Sequence, residues 1–400
     1  MNGMRKYFII FMYTFSLITD IFGQKEELQP YISFLEKQDT DPVDYVFNLF
    51  EKYDIVIMGE RDHRDTTQYE LINKIISDPR FSENIGHIFT EVGVYNQMDN
   101  LNEVLKGEYL VYTDFEEALK KVYVNMDYSI VWEKYNYWML LQNIYKVNMY
   151  LSAGKKLTIH PTDVIFDWSQ CKTHSQWEKF MDNISNSQMW DRDSIMGENF
   201  IKGYDAILQN RFEKRKKALV IFNRPHSYQN YQTHSGYWLN SAASFIFLKY
   251  PQRVANIMIN WVAFQNSDKD WLVATGKWDA AFRYIKNTPL GFDFKGSPFG
   301  VDCFDHYSKP LQNLQYKDIY TGFIFYKPIE EWQLVCGIPN IITEKFMPEF
   351  QRRIRIVNPN INKKVINEIY KELNYFDIDT VYRKDTPKER VNKYINYWLE

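Results

Sequence analysis

Asp54-Ile55-Val56-Ile57-Met58-Gly59-Glu60-Arg61-Asp62-His63 reads as a short buried strand that ends in a charged turn. Four consecutive apolar residues, Ile55 to Met58, suit a strand covered on both faces. Gly59 lets the backbone turn where a side chain would obstruct it. Glu60 and His63 then stand just beyond the carboxyl end of the strand, where open α/β sheets present their chemistry. A helix follows at once. Asp65 or Thr67 can cap it, Gln68 or Glu70 stands three residues on, and Leu71, Ile72, Ile75 and Ile76 form its buried stripe.

The same punctuation recurs along the chain. Pro79 stops the helix, and His87-Ile88-Phe89-Thr90-Glu91-Val92-Gly93 is a second short strand that also ends in a carboxylate and a glycine. Two strands joined by one helix make a βαβ unit, which implies parallel pairing. Further strands are predicted at Lys156–Asp163, Ala218–Phe222, Val254–Phe264 and Tyr320–Tyr326. Helices are predicted over 24–53, most of 97–153, from Asp191 to about Arg211, over 241–250, and in the charged tail after Glu344. Residues 275–318, rich in Gly, Pro and Asp, read as loop. The expected architecture is a central, mainly parallel sheet flanked by helices in three α/β/α layers. It forms one domain over 24–400, with its core at about 45–330 and a helical tail at about 340–400.

Composition bounds the function. The chain has 400 residues, 45% of them hydrophobic, enough for a large core. A net charge of −3 implies no broad nucleic-acid surface. Three scattered cysteines, Cys171, Cys303 and Cys336, have neither metal-ligand spacing nor a disulfide count, and read as structural thiols. Arg5 and Lys6 precede an apolar run from Tyr7 to Ile18, with Gly23 before polar Gln24-Lys25-Glu26-Glu27, the plan of a signal peptide over 1–23. Export is therefore expected, with no membrane span in the mature chain, whose net charge falls from −3 to −4 once Arg5, Lys6 and Asp20 are removed.

No G-x-S-x-G elbow, H-E-x-x-H, Walker A loop or G-x-G-x-x-G is present, so serine-triad esterase, zincin, P-loop and Rossmann chemistry lack support. What remains is a set of strand ends: Glu60 and His63, then Glu91, then His160 and Asp163, then Asn223-Arg224-Pro225-His226. In a parallel sheet these share one edge. Arg192, at the start of a helix with Met196 and Asn199 on the same face, can join them. A histidine flanked by carboxylates can act as a base on water. The set Glu60, His63, Glu91 and His226, with Asp163 beside it, could instead hold divalent Zn, Mn or Fe. Asp163, Asn199 and Asn223 are the candidate substrate-binding residues. Each group also has an ordinary alternative. Glu60 and His63 could cap a helix, Glu91 could serve only an ion pair with Arg192, and His226 could be a loop histidine. His160, before a proline, reads as structural, and His87, His174, His234 and His306 lack supporting context. The segment Ile130 to Tyr150, dense in aromatics, could line a pocket or fill the core.

Taken in order, Gly59-Glu60-x-x-His63, Glu91, Asp163, Arg192-Asp193-x-x-Met196-x-x-Asn199 and His226 resemble the erythromycin esterase-like proteins. These lie within a wider group that includes Tiki-type metalloproteases and ChaN-like haem-binding proteins. The match spans roughly residues 45–330. It implies a cleft at the carboxyl edge of the sheet and hydrolysis of an ester, lactone or amide by activated water. His63 would be the base, Glu60 and Glu91 would orient it and the water, His226 would assist, and Arg192 would stabilise the oxyanion. One departure is visible: Asn223 stands where esterase-like members often carry the first histidine of His-Asn-x-His. A Tiki-like chain would cleave peptides with the same groups on a metal. A ChaN-like chain would bind haem without catalysis.

Overall fold

The computed structural model describes residues 26–185, 190–232, 238–263, 271–305, 311–380 and 388–400. The expected export segment, residues 1–23, lies outside them. Strands β1 (Ile55–Glu60), β2 (His87–Val94), β3 (Thr158–Asp163), β4 (Ala218–Asn223), β5 (Val254–Ile259), β6 (Leu290–Asp293) and β7 (Gly322–Phe325) form one sheet. Its order is β6-β7-β5-β1-β4-β2-β3. Every pairing is parallel except β6 with β7. The mainly parallel sheet is thus as expected, with β6 as one addition. Leu290-Gly291-Phe292-Asp293 is a short edge strand inside the stretch read as loop. The fifth and last strands are also shorter than predicted.

Side chains of β1 alternate between two apolar layers. Val56 and Met58 join the cluster that contains Leu71, Ile72, Ile75 and Ile76 of helix α1 (Thr66–Ser77) and Tyr137, Leu140, Leu141 and Ile144 of helix α2 (Tyr135–Met149). Ile55 and Ile57 join Met196, Phe200 and Tyr204 of helix α3 (Trp190–Gln209) and Ala242 and Ile246 of helix α4 (Ala242–Lys249). Burial on both faces is why β1 reads as an unbroken apolar run. The aromatics of α2 fill the first layer. Its buried asparagines tie backbone: Asn148 bonds Leu105 O, Leu157 O and Leu157 N, and Asn136 donates to His63 O. A third cluster lies beyond β5, where Trp278, Phe282, Phe299 and Phe323 meet Val391, Ile395 and Trp398 of the last helix, Lys388–Leu399.

Asp65 is the α1 cap, its carboxylate accepting from Thr67 N at 2.8 Å. Gly59 differs from expectation, since it belongs to the strand and the turn comes after Glu60. Its need is for space: a Cβ there would lie 2.7 Å from Ser227 Oγ, because the turn after β4, Arg224–Ser227, crosses over it. Pro161 is tolerated in β3 because that strand is at the edge of the sheet. Among the described residues no helix is long and apolar enough to cross a membrane. Cys171, Cys303 and Cys336 are free thiols.

The turn that carries His226 is anchored from beneath by Asn256, which is fully buried in β5. Its Nδ2 donates to Ser227 O and Ile319 O at 2.8 Å each, and its Oδ1 accepts from Thr321 N at 2.9 Å. Asn256→Ala leaves these three groups without that partner. Thr321 N–H keeps Asn256 O and Ile319 O keeps Gln229 N–H, so the substitution is expected to cost about 1–3 kcal/mol in a urea unfolding titration, the cost of leaving Ser227 O unpaired. A loss under about 1 kcal/mol would show that the turn is held by other contacts.

Candidate active site

The carboxyl ends of β1, β2, β3 and β4 deliver Glu60, Glu91, Asp163 and Asn223 to one edge of the sheet. A break in the ladder sets their arrangement. Strand β2 follows β4 in register only from His87 to Thr90, and its pairing with β3 skips from Thr90 to Val94. The extra residues are Glu91-Val92-Gly93, a bulge that Gly93 makes possible with φ +107°. Where the ladder opens, the Glu91 side chain takes over: Oε2 accepts from Asn223 N at 2.7 Å. Its other oxygen, Oε1, faces three cations or potential cations. Arg192 Nη2 is at 3.2 Å, His226 Nε2 at 3.4 Å and His63 Nε2 at 3.7 Å.

Each partner is held from behind. Glu60, 1% exposed, places Oε2 2.9 Å from His63 Nδ1, and Tyr69 Oη donates to its Oε1. His63 is the more open member, with 22% of its side chain exposed, and packs edge-on against Trp132. His226 turns Nδ1 to Asp193 Oδ1 at 2.7 Å, and the same oxygen accepts from Ala242 N at 2.7 Å. Arg192 forms a two-pronged pair with Asp163, Nε to Oδ1 at 2.9 Å and Nη2 to Oδ2 at 2.8 Å. Its Nη1 lies 3.4 Å from His226 Nε2.

These contacts set protonation. Burial pulls the His63 imidazole down, but Glu60 and Glu91 outweigh it and hold the group well above the ordinary histidine value. His226 is raised in the same way, with Glu91 and Asp193 overcoming its burial. Burial pushes Glu91 up, yet His226, His63 and Arg192 together bring it well below the carboxylate range. Asp127, buried behind the Asp163–Arg192 pair, is raised to about 6 by burial. The contacts therefore favour the ionised form of Glu91 and the charged forms of the two histidines that face it, beside a guanidinium.

Glu60, His63, Glu91 and His226 thus meet where the strands end, and Arg192 joins them from the start of α3. The three residues expected to bind substrate make contacts within the chain. The Asp163 carboxylate is taken up by Arg192 and by Val164 N. Asn199 Nδ2 bonds Thr162 O and Asp163 O, which fixes the end of β3. Asn223 contributes its backbone N–H to Glu91. Sequence reasoning gave no role to Asp193, although it stands inside the Arg192-Asp193-x-x-Met196 run, or to Tyr69 and Asp127, which carry no local signal. His160 stacks on Phe89 and touches His87, the first residue of β2, away from the carboxyl ends of the strands.

As metal donors, Glu60, His63 and Glu91 offer one atom each within 4.8 Å of one another, a mixed N/O set. His226, expected as a fourth ligand, lies outside that group, with Arg192 Nη1 against its Nε2. Glu91 has one oxygen committed to Asn223.

No family model matches the chain, and no curated protein sequence does. Solved structures do. A succinoglycan biosynthesis protein is similar at 9% identity and TM-score 0.45, covering 76% of this chain and 97% of its own. An erythromycin esterase, a mutant of EreC in its open conformation, is similar at 10% identity and TM-score 0.45, over 75% of this chain and 95% of its own. Haem-bound ChaN of Campylobacter jejuni is similar at 13% identity and TM-score 0.31, over 54% of this chain and 84% of its own. Both the esterase and ChaN groups that the order of motifs resembles are among these structures.

The His63–Glu60 pair makes a direct prediction. In a histidine NMR titration, the His63 midpoint should lie above the ordinary value of about 6.5. In Glu60→Gln it should move down, because the charge that favoured the imidazolium is gone while burial remains. A midpoint unmoved by Glu60→Gln would show that the pair does not form in solution.

Proposed function

We propose that this protein is an exported hydrolase that cleaves an ester, lactone or amide with water activated at His63. The observation that supports this reading is the asymmetry around that imidazole. Glu60 lies 2.9 Å from Nδ1, while Nε2 is 3.7 Å from Glu91 and has no close partner. A ring so held keeps one nitrogen for structure and one for chemistry.

The groups divide the work by charge. With the Nδ1 side of the ring set against Glu60, neutral His63 takes a proton at Nε2 from a water lying between it and Glu91. The hydroxide equivalent adds to the carbonyl carbon, and the carbonyl π pair moves onto oxygen. His226, held by Asp193 and with its charged form favoured by Glu91, and the Nη1 edge of Arg192 supply the positive charge facing that oxyanion. Collapse breaks the bond to the leaving oxygen or nitrogen, which receives a proton from an imidazolium. Arg192 already spends its Nε and Nη2 on Asp163 and Glu91. Its role is consequently narrower than the full oxyanion partner expected from the resemblance.

A metal-assisted version has its own supporting observation, the convergence of Glu60, His63 and Glu91 donor atoms. A divalent ion held there would supply Lewis acidity to the water. Export rests on the charged and apolar pattern of residues 1–23.

The reading requires His63→Ala to lower kcat/KM on a panel of aryl and alkyl esters, lactones and peptides by about 10²–10⁴-fold, the range of a lost general base. Circular dichroism should be unchanged. In the wild type the rising limb of kcat/KM against pH should fall above the ordinary histidine value, since raised His63 must first lose its proton. In Glu60→Gln that limb should shift to lower pH. A panel with no turnover, with and without added Zn or Mn, would end the hydrolase reading. Turnover abolished by a chelator and restored by metal would select the metal-assisted version.

A further inference from the structure

Four arginines stand around the site, two on the turn after β1, one at the start of α3 and one on the turn after β4, and three have found a carboxylate. Arg61 is buried against Asp65, Arg64 is paired with Asp62, and Arg192 is clamped by Asp163 and Glu91. Arg224 is different. Its guanidinium lies over the Trp261 ring, with Cζ 3.2 Å from the centroid, and Nε donates to Tyr228 Oη at 3.2 Å. Nη1 is enclosed but has no hydrogen-bond partner, and no carboxylate among the described residues pairs with the group. The residue is half-buried, so its charge is only partly offset by water.

Topology fixes where this charge sits. Arg224 opens the turn after β4, and Trp261 follows β5. Because β1 lies between β5 and β4, the stack of Arg224 on Trp261 passes over the end of β1, where Glu60 begins the site. Two residues further on, His226 leaves the same turn in the opposite direction to reach Glu91 on β2. The mouth of the sheet therefore carries a row of groups. The satisfied cation Arg192 stands at one end, the Glu60–His63–Glu91 centre in the middle, and the unsatisfied cation Arg224 at the other. With one face on an indole and Nε on Tyr228, the guanidinium keeps its Nη1–Nη2 edge for a planar, two-oxygen acceptor.

We infer that Arg224, seated on Trp261, is the anchor for a carboxylate on the substrate, so that the preferred substrates are acidic molecules whose carboxylate is separate from the bond to be cleaved. Calling the ligand a substrate rests on the hydrolase reading; the binding of the carboxylate does not. Arg224 here is a specificity residue.

The test uses two ethers that contain no hydrolysable bond, 4-phenoxybutyrate and 4-phenoxybutan-1-ol, titrated by calorimetry into the full-length protein. Wild type should bind the carboxylate about tenfold or more tightly than the alcohol, the scale of a charge-assisted pair. The preference should weaken with added salt. Arg224→Gln should bring the two affinities together. Arg224→Lys, which keeps charge but loses the fork, should reduce the preference several-fold. Equal binding by wild type overturns the assignment. So does a preference undiminished in Arg224→Lys, even should Arg224→Gln fail to fold. The two readings fail separately. An inactive ester panel with an Arg224-dependent preference ends only the hydrolase, and an active panel without that preference ends only the anchor.

Discussion

The hydrogen bond from Asn223 N–H to Glu91 Oε2 is the contact on which the site depends. A parallel ladder normally leaves side chains out of its pairing, and here one carboxylate oxygen fills the gap where β2 leaves β4. That fixes the Glu91 plane, and the plane fixes its second oxygen. Three separate basic groups, from the turn after β1, the start of α3 and the turn after β4, converge on that one atom. A buried carboxylate carries a large desolvation penalty, and only such convergence lets it stay ionised. Bulge, glycine and cations are one solution to one electrostatic problem.

The partners of Glu91 are each backed by an acid of their own: Glu60 behind His63, Asp193 behind His226, Asp163 behind Arg192. This layering fixes ring orientation and proton location together. It also means that the cations are positioned before any ligand arrives, so little reorganisation is left to the reaction step. Tyr69 on Glu60 and Ala242 N–H on Asp193 extend the support into the helices on opposite faces of the sheet. The two apolar layers thus hold the polar edge between them.

Much of this was legible in residues alone, for a physical reason. Strands covered on both faces must be apolar throughout, so Ile55–Met58, Ile88–Phe89 and Ala218–Phe222 are conspicuous, and the first polar residues after them mark the working edge. Glu60, His63, Glu91 and His226 follow from that rule, and Arg192 from its place at a helix start. The direction of a polar side chain is not encoded in this way. Asn199 and Asn223 are adjacent to the site, yet one amide bonds strand carbonyls and the other residue gives a backbone N–H. The helix with clustered aromatics proved to be core, since spacing cannot tell a ring that lines a pocket from one that packs. β6 escaped because four residues with a glycine on a sheet edge leave almost no pattern. Gly59 was noticed for the wrong property: crowding by a turn more than 160 positions later, at Ser227, is invisible locally.

The bulge at Glu91–Gly93 has a consequence for how the chain comes to be competent at all. Its carboxylate has no partner within its own βαβ unit that can satisfy both oxygens; those partners arrive with residues 192, 223 and 226. The acid of the first unit is therefore fully partnered only where β4 lies between β1 and β2. Placement of that strand both completes the hydrophobic sheet and discharges the acid. The site is then complete only when the strands from β1 to β4 stand side by side, since each of them brings one of its groups.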